Sequence, residues 1–152
     1  MTSENRKTET KVSLKIHDFD CSIDEITTLV GIVPTKVLQK GDLLPNRNIE
    51  MHRKFSSWIL ESGMDISASV EEHIDALINT ISPRIKVLKD LIITYNGELA
   101  IVIYAYSECN IGAYIDKEKL GILLDLGVAL DIDIYFLNDA EATANAANDI
   151  LE

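Results

Sequence analysis

One apolar run constrains the fold of this chain more than any other part of the sequence. Residues 99–106 read Leu-Ala-Ile-Val-Ile-Tyr-Ala-Tyr, with Gly97 shortly before them and polar Ser107 and Glu108 after them. A short, continuous run of β-branched and aromatic residues is typical of a strand that is covered on both faces. A buried helix segment is the alternative, but helices usually need a longer run. The run therefore predicts a central strand.

Two further stretches alternate with period two and predict strands that are covered on one face. In residues 11–18 apolar positions alternate with Lys, Ser and His, and in residues 130–136 they alternate with Asp and Tyr. Period two directs the apolar side chains toward a core and the polar ones away from it. In the second stretch the expected inward side chains are Leu130, Ile132, Ile134 and Phe136, and the expected outward ones are Asp131, Asp133 and Tyr135.

The helices are marked by the residues at their ends. Serine followed three residues later by glutamate, at residues 22–25 and 69–72, is the pattern of a capping box. A Ser-Pro pair at residues 82–83 predicts a further helix that is capped by the serine. Asp116 and Gly127 are expected to begin and end the last helix before the second alternating stretch.

These elements predict a single α+β domain with a mixed or antiparallel sheet and helices packed on one face. Their order is β-α-β-β-α-α-β-β-α-β, in which a short strand follows the central one. A chain of 152 residues is long enough for one well-buried core. We assign the domain to residues 11–137, a disordered N-terminal tail to residues 1–10, and a C-terminal tail or loose helix to residues 138–152.

The charge of the chain restricts its partners. The net charge is −11, and residues 98–152 hold eleven acidic residues against two lysines. Nucleic acids and anionic membranes require a basic surface, so neither is an expected partner. We expect a cytoplasmic protein, because no apolar stretch is long enough to span a membrane, the polar N-terminus lacks a signal sequence, and the two cysteines show no disulfide or zinc spacing.

Several short motifs follow one another along the chain. They are Ile-Asp-Glu-Ile-Thr-Thr-Leu-Val-Gly-Ile (23–32), Pro34-Thr35, Lys40-Gly41-Asp42, Trp58 with Leu60, Glu-Glu-His-Ile (71–74), and Leu-Gly (126–127) leading into Asp-Ile-Asp-Ile-Tyr (131–135). In order and spacing they resemble a bacterial family of small single-domain proteins known only as domain of unknown function 4279. The resemblance covers residues 11–137. It implies neither an activity nor any catalytic residue.

The acidic C-terminal half suggests a non-enzymatic interaction protein. Its charges would set the rate and specificity of association with a basic protein, and an exposed tyrosine would act as an anchor. Immunity or inhibitor proteins are the type expected by analogy with other small acidic proteins. The predicted partner-binding residues are Asp131, Asp133, Tyr135, Asp125 and Asp116, with Glu108 nearby.

A small anionic ligand is the alternative partner. Residues 36–54 hold five basic and two acidic residues, against the sign of the chain as a whole. Basic side chains and backbone donors are the groups that hold anions, although surface loops also tolerate charge without any ligand. The residues predicted for this loop site are Thr35, Lys40, Arg47, Arg53 and Trp58.

The sequence gives no reason to expect an enzyme, a cofactor or a resident metal. It lacks the GxSxG, P-loop, GxGxxG, HExxH and EF-hand patterns. Asp18, Asp20, Asp131 and Asp133 would suit a hard divalent cation if their two strands were neighbours, but outward aspartates on strands are usually only solvated. An exposed edge strand would also allow a homodimer.

Overall fold

The computed structural model describes residues 8–106 and 110–137, and these form one mixed sheet with a layer of helices. A single 3-10 turn, Ser82–Arg84, joins the second and third helices. The strands are β1 (Glu9–His17), β2 (Lys36–Leu38), β3 (Ser57–Glu61), β4 (Asn96–Tyr106) and β5 (Ala129–Leu137), and the helices are α1 (Ile23–Val30), α2 (Val70–Ile81), α3 (Ile85–Thr94) and α4 (Lys117–Leu126).

The α+β class is confirmed, and the helices and strands follow the predicted order apart from one short strand. The short strand expected after the central one has no counterpart in residues 110–116, which have no regular structure and precede α4. Strand β1 begins at Glu9, two residues before the predicted domain boundary. The predicted tails at residues 1–7 and 138–152 lie outside the described residues.

The strands lie in the order β2-β3-β1-β4-β5. Strand β1 pairs antiparallel with both β3 and β4, and β2 pairs antiparallel with β3. Strands β4 and β5 are parallel. A parallel pair requires a crossover connection, and α4 lies in that connection.

The core lies between one face of the sheet and the helices. Val12, Leu14 and Ile16 are at most 2% exposed, as the alternation in β1 predicts. Trp58 also faces the helices and is fully buried, and its indole N–H donates a hydrogen bond to Oγ1 of Thr27 in α1 (3.2 Å). This bond satisfies the one polar group of the indole ring.

Both predicted capping boxes are present. In each, the serine hydroxyl accepts from the backbone N–H three residues later, and the glutamate carboxylate accepts from the serine N–H (residues 22–25 and 69–72). Gly31 and Gly127 close α1 and α4 in the left-handed conformation, at φ 70° and 82°. Glycine adopts this conformation without the strain that a Cβ would add.

The predicted cap at Ser82 is wrong. Its hydroxyl donates to the carbonyl of Ile78, one turn back in α2, and therefore satisfies the end of that helix and not the start of the next. Pro83 lies in the 3-10 turn, and α3 begins at Ile85 without a side-chain cap.

The prediction that β5 has a buried face is also wrong. Its apolar side chains lie on the side of the sheet that the helices cover, but they are 44–73% exposed. Their neighbours on β4 are at most 3% exposed. The helical layer therefore covers β4 but does not cover β5. The exposed residues are Leu130, Ile132, Ile134 and Phe136.

Candidate functional site

The sheet face that points away from the helices, here called the open face, combines lysines with apolar side chains. Strand β1 contributes Lys11 and Lys15 to it, and the register aligns them with Val102 and Glu98 of β4. Ile59 of β3 lies opposite Lys15 on the same face and is 6% exposed. A side chain buried on this face must be covered by a segment other than the helices.

Residues 39–56, here called the arm, form an irregular hairpin between β2 and β3. The Gly41 N–H donates to the Arg53 carbonyl (2.9 Å), and the Leu44 N–H donates to the Met51 carbonyl (2.7 Å). His52 adds a 2.7 Å contact from Nδ1 to the Gly41 carbonyl oxygen. The basic loop of the sequence therefore has a defined backbone.

A cavity of about 640 Å³ lies between the arm and the open face. Sites for small ligands usually measure roughly 300–1,000 Å³, so the volume suits a small molecule. Basic side chains of the sheet and of the arm line it together. They are Lys11, Lys15, Lys36, Arg47 and Arg53.

Apolar side chains line the rest of the cavity. Leu38, Ile59 and Val102 line it from the sheet, and Leu44 lines it from the arm. Tyr104 also lines it, with its ring centroid 5.8 Å from Nζ of Lys11. At that distance a cation is attracted to the face of the ring.

The charge of this lining is opposite in sign to that of the whole chain. Among the described residues, one carboxylate lines the cavity, that of Glu61. Lys15 lies 3.6 Å from the carboxylate of Glu98, which is outside the lining. Arg47 and Arg53 form no ion pair with any residue in the described part of the chain. The guanidinium groups are therefore available for an anion. A guanidinium group can bind a carboxylate or phosphate with two parallel hydrogen bonds.

A hydrogen-bonded pair that sequence reasoning missed also lines the cavity. Nδ1 of His73 lies 2.5 Å from Oγ of Ser62, and His73 is only 2% exposed. Burial lowers the pKa of His73, and the nearby charge of Glu72 and the carbonyl of Asp65 oppose that effect. Burial of the ring therefore favours the neutral imidazole over the charged one.

The structure brings together only part of the ligand site predicted from the loop. Arg47 and Arg53 line the cavity. Thr35 does not, because its Oγ1 donates to the Ile59 carbonyl and accepts from the Glu61 N–H, which ties β2 to β3.

Two other predicted ligand residues lie away from the cavity. Lys40 is exposed on the arm, where its backbone N–H donates to Oγ of Ser56 (3.0 Å). Trp58 is buried on the opposite face of the sheet. Prediction from the loop alone missed Lys11 and Lys15, although the alternation in β1 had already placed lysines on its outward face.

The acidic residues predicted for partner binding do not form one surface. Asp131, Asp133 and Tyr135 lie together on the open face of β5, where Tyr135 stacks on Tyr104. Asp116 and Asp125 belong to the helical layer. They are paired with Lys119 (2.6 Å) and Lys89 (2.5 Å), respectively, and Glu108 lies outside the described residues.

The predicted carboxylate cluster is not assembled. Strand β4 lies between β1 and β5, and this separates Asp18 and Asp20 from Asp131 and Asp133. Asp20 accepts a hydrogen bond from the hydroxyl of Tyr95 (2.8 Å). Within residues 8–106 and 110–137, no three His, Cys, Asp or Glu residues are grouped so that they could hold a metal ion.

None of the helices in the described ranges has both the length and the apolar character needed to cross a membrane. Comparison with curated proteins and with solved structures found no match. The sequence model of one family, described as domain of unknown function DUF4279, matches residues 8–137. Because that match covers the whole sheet and all four helices, the chain belongs to the DUF4279 family.

Proposed function

We propose that this protein binds a small ligand that combines an anionic group with an apolar body, in the cavity between the arm and the open face. One observation supports this proposal above all. Five cationic side chains line a single cavity of about 640 Å³ in a chain whose net charge is −11.

The two parts of the lining define the two parts of the ligand. Arg47 and Arg53 on the arm, with the lysines of β1 and β2, suit a carboxylate, phosphate or sulfonate. Ile59, Val102 and Leu38 offer an apolar surface below them. Burying a ligand's apolar atoms there would contribute about 25 cal/mol per Å², so both parts add to affinity.

The proposal is tested by melting the protein with pairs of ligands that differ in charge alone. Suitable pairs are octanoate with octanol, and naphthalene-2-sulfonate with naphthalene-2-sulfonamide. A ligand that binds only the folded state stabilises it by about 2.7 kcal/mol at 100 times its Kd. We expect the anionic member of a pair to raise the melting temperature more than its neutral partner does.

Variants then locate the binding site. R47Q with R53Q should weaken the best anionic ligand at least about tenfold, because hydrogen bonds to charged groups contribute roughly 1.5–3 kcal/mol each. K86Q with K117Q removes the same charge from the surfaces of α3 and α4 and should leave affinity unchanged. If neutral and anionic members bind alike, or both double variants bind alike, the proposal is wrong.

A second candidate function is binding of a basic protein through β5. Asp131 and Asp133 are exposed there and form no ion pair with other described residues. Opposite charge on a partner would speed association, and salt would slow it. If a basic partner associates at the same rate at low and at high salt, this candidate is wrong.

A further inference from the structure

Strand β5 ends the sheet and has two chemically different faces. Within the described residues it pairs with β4 alone, so its other edge presents backbone donors and acceptors that no described strand pairs. On the helix side its apolar residues are 44–73% exposed, and on the open face Asp131 and Asp133 are exposed as well.

This combination is unusual for the edge of a sheet. An exposed edge with a row of apolar side chains is a template for another strand. Leu130, Ile132 and Ile134 continue the buried row of β4, since the register aligns them with Leu99, Ile101 and Ile103. An added strand would extend the core by one further row.

We infer that β5 accepts a β-strand of a partner protein whose sequence alternates apolar residues with Lys or Arg. Strand addition supplies backbone hydrogen bonds, and alternate side chains supply specificity. The apolar residues of the partner would pack beside Leu130, Ile132 and Ile134, and its basic residues would lie across from Asp131 and Asp133. The inference rests on the second candidate function and specifies how the basic partner binds.

The two aspartates also select against a second copy of this chain. Pairing β5 with its own copy would bring the aspartates of both copies to the same face, opposite or diagonal to one another. Like charges on facing strands are destabilising, and both chains would carry a net charge of −11. The charge on β5 therefore disfavours self-association and favours a strand of opposite charge.

The test uses the full chain and the peptide Val-Lys-Val-Lys-Val-Lys, with binding followed by fluorescence anisotropy and hydrogen exchange. Three control peptides are the same sequence with Glu in place of Lys, a Val-Val-Val-Lys-Lys-Lys block, and the alternating peptide with N-methylated backbone amides. We expect the unmodified alternating peptide to bind at least about tenfold more tightly than each control, and to protect amides of residues 129–137 from exchange.

Matched variants separate strand pairing from general attraction. D131N with D133N should weaken the alternating peptide about tenfold, and D24N with D90N, which removes the same charge from α1 and α3, should not. If the block or methylated peptide binds as tightly as the alternating one, strand addition is wrong while a basic partner remains supported. If no lysine peptide binds, the basic-partner candidate fails too. If sedimentation shows a dimer with β5 already protected, a second copy occupies the edge and the inference is overturned.

Discussion

Oγ of Ser62 lies 2.5 Å from Nδ1 of His73, and this short contact joins the end of β3 to the first turn of α2. Nε2 of His73 is buried without a hydrogen-bond partner in the described part of the chain. Protonating this ring would place a charge at a buried position, which is costly. The pair therefore makes the fold sensitive to pH.

The free energy of unfolding should decrease as pH falls through about 6.5, the ordinary pKa of histidine. Burial lowers the pKa of His73 in the folded state. In this pH range His73 therefore binds a proton in the unfolded state before it does so in the folded state, and this favours unfolding. Burial lowers the pKa of His17 as well, so it contributes in the same direction. Urea unfolding between about pH 7.5 and 5.5 measures the effect above the range in which carboxylates titrate.

The variant H73Q tests which histidine is responsible. It should lower stability at neutral pH by about 1–3 kcal/mol, since Ser62 loses its partner, and it should make stability less dependent on pH. H17Q removes the other histidine whose pKa is lowered by burial, and it should leave the part of the pH dependence that comes from His73. An H73Q protein that loses as much stability as wild type on acidification would contradict this assignment.

Close packing at Gly97 gives a second prediction. A Cβ added there would lie 2.6 Å from both Cγ1 and Cγ2 of Ile92, a core residue that is 4% exposed. We expect G97A to lower the free energy of unfolding by about 1–3 kcal/mol, the usual cost of overpacking a core.

The matched control for G97A is G121A. Gly121 lies inside α4, where an added Cβ would meet no atom within 4 Å. Alanine favours a helix over glycine by roughly 0.8–1.0 kcal/mol, so G121A should stabilise the protein. Urea unfolding of both variants measures the contrast, and equal effects would show that the Gly97 contact does not limit packing.

A substitution at Trp58 should change stability without changing ligand binding. W58F should cost about 2 kcal/mol of stability, because it removes the hydrogen bond to Thr27 and leaves a cavity beneath α1. It should leave the affinity of the best anionic ligand unchanged, since Trp58 lies on the face opposite the cavity. Calorimetry on W58F and R53Q checks both expectations, and a loss of affinity in W58F alone would move the ligand site to the helical side.

Local patterns predicted the elements of this fold because each depends on neighbouring residues. The capping box at residues 69–72 and the alternation of β1 are properties of a few consecutive positions. The position of β5 at the end of the sheet depends on which strands pair, and alternation is the same in a central strand and in an end strand. The exposure of its apolar side chains could therefore not be predicted from residues 130–136 alone.

The candidate ligand site could also be predicted only in part from local sequence. The excess of basic residues in the arm was visible in the sequence, and Arg47 and Arg53 do line the cavity. The lysines of β1 complete the lining only because β2 pairs with β3 and β3 pairs with β1, which brings the arm beside residues far away in the chain. Long-range pairing of this kind leaves no local signal.

Lys119 links two helices by charge, and this gives the last prediction. Its Nζ lies 2.6 Å from Asp116 and 3.1 Å from Asp75 of α2, and the two carboxylates raise its pKa. K119Q should lower the melting temperature at low salt, and K117Q, which removes a charge at the start of the same helix, should lower it less. At about 1 M salt the Debye length falls to about 3 Å, so the difference between the variants should shrink. A difference that persists at high salt would mean that packing of the Lys119 side chain, and not its charge, holds α4 against α2.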